Sequence, residues 1–219
     1  MPAWGSTDST PAAVQDSLAK PTRVERLTDK RRQHWDAIIP RQAILQYAGN
    51  VGLISMGVGW DYGRHHNWET HLLLGFLPRY NSQRAKVLLT LRESYRPWGI
   101  RIGNHRQLVG RSTRADLTYN PLAIGMALNT VFSGEFWTRQ PERYPAGYYW
   151  FSTRMRFHLT LGQQLTHTFT TDNVLGLHGY AAYIDIGTTE LDIIYKIQNH
   201  WVPVRDILHF GVGVKLQLQ

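Results

Sequence analysis

The sequence predicts an all-β fold, a single antiparallel up-and-down transmembrane β-barrel of about eight strands behind a short polar extension. Three observations predict it. The stretch 149–162 alternates: Phe151, Thr153, Met155, Phe157, Leu159 and Leu161 fall on one face, and Ser152, Arg154, Arg156, His158 and Thr160 on the other. The final stretch, 207–219, repeats the pattern, with Leu208, Phe210, Val212, Val214, Leu216 and Leu218 opposing His209, Gly211, Gly213, Lys215 and Gln217. A mean hydropathy of −0.34 excludes a helical membrane bundle but suits strands that are only half apolar, whose interfaces would gather the 8 Trp and 11 Tyr. A soluble sheet lays the apolar face of such strands on a core, whereas a membrane barrel lays it on lipid and turns the polar face into a narrow lumen.

Taken in order, residues 1–20 are rich in Ser, Thr, Ala and Pro and are expected to be a disordered leader within a polar extension over 1–39. They hold no apolar run of the length a secretory signal needs, so the expectation is a mature chain or one whose start lies upstream. Thr22 and Glu25 have capping-box spacing and open a charged segment through Trp35, expected as a short exposed helix over 22–35. The barrel domain is expected over 40–219. Residues 43–60 carry no charge, yet Gly49, Gly52, Gly57 and Gly59 weaken a helix. The apolar phase switches between Leu53 and Ile54, which predicts one strand with a bulge near Gly52. Further strands are expected over 68–77, 84–94, 118–132, 149–162, 175–186 and 190–198, the last because its β-branched and aromatic residues outweigh a helical reading, and 207–219 completes the set. Residues 96–116, 133–148 and 163–174 are expected as connections.

A formal charge of +8 asks for an acidic partner. Zinc-finger spacing, an RNP-like aromatic strand and a Lys-rich tail are all missing, so nucleic acid is not the expected partner, and anionic lipid phosphates suit a barrel better. The chain has no cysteine, which removes a disulfide framework and a thiolate metal site. No cofactor and no metal are expected: His65, His66 and Glu69 lack an HExxH spacing, and the GVGWDYG run at 57–63 is not followed by the helix a dinucleotide fingerprint needs.

The run QYAGNVGLISMGVGWDYG at 46–63, WETHLLLGFLP at 68–78, FWTRQPERYPAGYY at 136–149 and the strand-like ending resemble small, uncharacterised outer-membrane β-barrel proteins of Gram-negative bacteria. The resemblance covers 40–219, although the chain ends Leu218-Gln219 where such barrels usually end on an aromatic. It implies an outer-membrane location, with outer-membrane lipid, lipopolysaccharide and the barrel-assembly machinery as partners. No chemistry is assigned to these proteins, so it implies no activity.

An eight-stranded barrel is wide enough only for its own side chains. The expected lumen set is Glu69, His71, Lys86, Arg92, Arg154, Arg156, His158, Asp192, Lys196 and Lys215, which must pair to avoid uncompensated burial. A structural ion-pair plug is the leading reading, ahead of an ion path or ligand cleft. For catalysis the candidates are His158 and Thr160, on one face of a strand, with Glu69 or Asp192 to orient the imidazole. The pair resembles only loosely the His-x-Ser of barrel lipid A deacylases, because a Thr stands at the nucleophile. A lipid-acting barrel enzyme and a soluble barrel binding a hydrophobic ligand are therefore the alternatives. Counted from periplasmic termini, 96–116 follows the third strand and is expected outside, where Arg101, Arg106 and Arg111 would meet lipopolysaccharide phosphates unless the loop is merely solvated.

Overall fold

Strands that alternate apolar and polar residues over their whole length cannot bury both faces, and here they solve the problem by closing on themselves. The computed structural model describes residue 35 and residues 37–79, 85–104, 115–132, 154–169 and 176–218. The expected leader, nearly all of the helix expected over 22–35, the connection 133–148, Arg106 and Arg111 lie outside those residues. Pro40–Gln219 forms one compact unit.

Within Pro40–Gln219 the strands are β1 (Gln42–Ala48), β2 (Ile54–Tyr62), β3 (Trp68–Leu77), β4 (Lys86–Tyr95), β5 (Ile100–Asn104), β6 (Ala115–Phe132), β7 (Met155–Phe169), β8 (Leu177–Thr189) and β9 (His209–Leu218). Strands adjacent in sequence pair antiparallel except β4 and β5; β4 pairs instead with β6, and β1 pairs with β9 from Gln42↔Gln217 to Ala48↔Gly211. That last pairing closes the sheet into an eight-stranded barrel. The short β5 adds no ninth stave: it continues β4 past Arg96 and pairs with the start of β6, Ile100 opposite Tyr119. Between Asn120 and Ala123 the β6–β7 register shifts, where Pro121 has no N–H to give the ladder.

Four expectations are corrected. Residues 43–60 are not one bulged strand but the β1–β2 hairpin, reversed by a 3₁₀ turn at Gly49–Val51. Gly49 and Gly52 adopt φ of 74° and 114°, conformations open to glycine, so the phase switch at Gly52 marks a change of direction. Residues 190–198 are a helix, α1 (Glu190–Gln198), not a strand. Thr189 and Asp192 form a full capping box, Glu190 and Asp192 sit in the first turn and Lys196 in the last, and these terms overcome the weak strand preference of Ile193 and Ile194. Residues 163–169 are strand rather than loop, because β6 and β8 both continue alongside and offer partners up to Phe169 and Thr168. The connection expected over 96–116 shrinks in the same way, with 100–104 and 115–116 in strands.

The misread hairpin moves the connections from 63–67 to 170–176 to the other end, and the helix at 190–198 restores the count for the last one. Gln42 and Leu218, where the barrel begins and ends, share one end with the exit of β5 and the entry of β6. The opposite end carries the two longest connections, 133–154 and 190–208. The Arg-rich hairpin therefore lies at the terminal end, not opposite it as counted from the sequence.

Candidate functional site

Sidedness is the first property of the site. Among the described residues, sixteen polar or charged side chains are buried against eight hydrophobic ones, and all sixteen are strand residues that point into the barrel. The outward phase is apolar and open: Leu45, Leu74, Met126, Leu161 and Phe210 are each more than half exposed. This inverts the usual soluble arrangement.

The lumen is built from the polar phase of each strand. Glu69 of β3, 1% exposed, receives Lys215 Nζ of β9 at 2.5 Å, Gln42 Nε2 of β1 at 3.1 Å and Arg96 Nη2 at 3.0 Å. His71 Nε2 lies 3.6 Å from the same carboxylate. Lys215 also donates to Gln164 Oε1 of β7 at 2.8 Å. A second cluster stands beside the first: Arg92 of β4 donates to Asp185 Oδ2 of β8 at 2.7 Å, to Gln46 Oε1 at 3.2 Å and, through Nε, to Ser94 Oγ at 3.3 Å. Tyr183 joins them, its hydroxyl donating to Gln46 at 2.8 Å while its ring lies 5.3 Å from the Arg92 guanidinium and 4.9 Å from Lys215 Nζ. Moving an ion out of water costs several kcal/mol, so these charges are tolerable only because each meets an opposite charge and spare hydrogen-bonding groups. The network ties β1, β3, β4, β7, β8 and β9 across the barrel. The voids beside it are small: one lined by Glu69, Arg92, Tyr183 and Lys215 and one by His158, Asp185 and His209 each measure about 10 Å³, room for about one water.

The structure brings together some of the expected lumen residues and not others. Glu69, His71, Lys86, Arg92, His158 and Lys215 are buried and inward. Asp192 is not a lumen residue: it caps α1 and meets His209 Nε2 at 3.2 Å. Lys196 is not one either, because its ammonium closes the end of α1 by donating to the carbonyls of His200, at 2.9 Å, and Val202. Arg156 pairs with Glu190 at 3.1 Å, and Arg154, half-buried, precedes β7. Arg101 lies on β5, exposed, 3.5 Å from Asp116.

His158 and Thr160 share the inward face of β7, but the described residues form no catalytic constellation around them. Among those residues neither ring nitrogen of His158 has a hydrogen-bond partner, Glu69 is committed to Lys215 and Arg96, and Asp192 to Thr189 and His209. His66 Nδ1 pairs with Asp61 at 2.6 Å, while Glu69, its expected companion, faces the lumen. No protein-family model matches the chain, and no match was found among curated proteins or solved structures.

Sequence reasoning missed Asp185, Gln42, Gln46, Tyr183 and Arg96. Asp185 and Tyr183 had a readable signal, since Tyr180, Ala182, Ile184 and Ile186 form one outward column of β8 and leave Ala181, Tyr183 and Asp185 inside. Arg96 had none. It follows the end of β4, and only the offset between β4 and β5 puts its guanidinium on Glu69.

Proposed function

We propose that this chain is an integral outer-membrane β-barrel protein, structural rather than catalytic, with a lumen shut by a salt-bridged plug. The observation that carries the reading is the inversion of polarity, in which buried Glu69, Arg92, Asp185 and Lys215 lie inside a wall of exposed Leu, Ile, Val, Met and Phe. In water that wall would be a continuous apolar patch far larger than a soluble monomer exposes, whereas in a bilayer it is the solvated surface. Two further features support it. Outward columns end on aromatics: Tyr62, Trp68, Tyr95 and Tyr180 toward the terminal end, and Tyr47, Phe76, Phe132 and Phe210 toward the other, with aliphatic residues between, the pattern of interfacial girdles. Strands β2, β3, β4 and β9 run 9 to 10 residues, the length that crosses a hydrocarbon core at a tilt.

Lipid is then the partner of the wall. The barrel-assembly machinery is the partner of folding, and lipopolysaccharide that of the end opposite the termini. The alternative of a soluble barrel holding a hydrophobic ligand has no support from a lumen that is charged and filled. The lipid-acting enzyme lacks an oriented histidine. The test is fractionation of the expressed chain: extraction from membranes by detergent alone, with a gel band that shifts on boiling, is expected. A monodisperse protein in detergent-free buffer overturns the reading.

A further inference from the structure

The outward column of β4 reads Val87, Leu89, Leu91, Glu93, Tyr95, and Glu93 breaks it. A carboxylate on the outside of an apolar wall is costly unless something holds and matches it. Two hydroxyls hold it: Tyr62 donates to Glu93 Oε1, and Thr70 Oγ1 donates to Oε2 at 2.5 Å, with the hydroxyls 3.1 Å from each other. Both are neutral, and among the described residues no cation pairs with Glu93.

The surroundings are aromatic. Thr70 stands opposite Glu93 in the β3–β4 ladder, Trp68 opposite Tyr95, and Tyr62 opposite Trp68. The Trp68 and Tyr95 rings lie 4.7 Å apart, and Tyr62 and Trp68 are more than 40% exposed. Leu91 and Leu72, paired one step further along the same ladder, begin the aliphatic band. The cluster is thus a negative charge set among aromatic side chains at the junction of apolar wall and barrel rim. Each carboxylate oxygen accepts one internal bond and keeps a second acceptor site.

We propose that Glu93, with Tyr62, Thr70 and the Trp68–Tyr95 pair, binds the primary ammonium headgroup of a membrane phospholipid on the outer wall of the barrel. The inference rests on the membrane reading above. A primary ammonium satisfies the site in both respects: its N–H groups reach the free acceptor positions of the carboxylate, and its charge is attracted by the aromatic faces. A quaternary ammonium keeps the second attraction and loses the first, and an uncharged glycerol headgroup loses both. The acyl chains of the same lipid continue down over Leu91 and Leu72.

The experiment uses the full chain, purified in detergent and reconstituted in nanodiscs holding equal phosphatidylethanolamine, phosphatidylcholine and phosphatidylglycerol with identical acyl chains, with retained lipid counted by native mass spectrometry. Ethanolamine lipid is expected to be retained about fivefold over the other two, as one charge-assisted contact with a cation–π term allows. Glu93→Gln is expected to abolish the preference while the band still shifts on boiling. Trp68→Leu, which leaves the carboxylate intact, is expected to reduce it. Equal retention of the three lipids by the wild type, or an unchanged preference in Glu93→Gln, overturns the proposal. A heat-modifiable barrel without lipid preference defeats this inference alone, whereas a chain that stays soluble without detergent defeats the membrane reading with it.

Discussion

Lys215 and Glu69 stand 146 residues apart in the chain and 2.5 Å apart in the lumen. Their contact joins β9, the last strand, to β3 across the barrel interior, and Gln164 and Gln42 extend it to β7 and β1. Buried hydrophobic residues such as Ile44 and Leu73 are outnumbered inside the barrel, so polar and charged pairs carry much of the linkage across it.

Removing one partner of this pair should hurt more than removing both charges. Lys215→Met leaves Glu69 short of its closest cation and is expected to cost ~3–5 kcal/mol, the range for breaking a buried pair. Lys215→Met with Glu69→Gln is expected to recover most of that loss, since both charges then leave together and Arg96 keeps its bond to the His66 carbonyl. The urea concentration at which the heat-modifiable band is lost measures both. Strictly additive effects would show that the pair is not coupled.

The two faces of β7 should respond differently to charge. Leu161, outward and 57% exposed, lies near the middle of the strand, and arginine there is expected to cost ~2–4 kcal/mol if that face meets lipid. His158→Gln on the inward face is expected to cost far less, since the imidazole nitrogens make no hydrogen bond to lose. Urea titration of the barrel in liposomes compares them. Equal tolerance of the two changes would remove lipid from the outer face.

Gly213 makes room for the residue that links the two charged clusters. A methyl group added there would sit 2.4 Å from the Tyr183 ring, so the ring must swing away and release Gln46. Gly213→Ala is expected to destabilise by ~1–3 kcal/mol, as overpacking does. Adding Tyr183→Leu should recover part of it. If the double variant is no better than Gly213→Ala alone, the clash is not the cause.

Much of this architecture was legible because alternation is a local property. The inward phases of β3, β4 and β9 gave Glu69, His71, Arg92 and Lys215 directly. The strand total was reached differently, by two errors that offset each other. The 43–60 run held a reversal whose extra left-handed residue is Ala48, at φ 59°, which composition does not announce. The 190–198 run carried its capping box in plain view at Thr189 and Asp192, but its isoleucines were given more weight. The strand end at 163–169 was hidden because outward residues near the rim, such as Gln163 and His167, are polar there and blur the period. Pairings such as Arg92 with Asp185 cannot be read from any single segment, because they depend on which strands close the barrel.

The side of each connection is the property most exposed to the hairpin error, and it can be measured. Following the sheet order, connections 63–67, 105–114 and 170–176 share an end with Gln42 and Leu218, while 78–85, 133–154 and 190–208 lie opposite. In an outer-membrane barrel with periplasmic termini, the far end faces outward, which agrees with its longer connections, since outer-membrane barrels pair short periplasmic turns with long external loops. A protease-cleavable tag placed within 105–114 is therefore expected to resist protease in intact cells, as a tag after Gln219 should, and to be cut once the outer membrane is opened. A tag within 133–154 is expected to be cut from outside. If the tag in 105–114 is cleaved in intact cells while the C-terminal tag is protected, the two sites lie on opposite sides and the β1–β2 hairpin is wrong. If both are cleaved from outside and the 133–154 tag is protected, the barrel holds the same strand order in the inverted orientation.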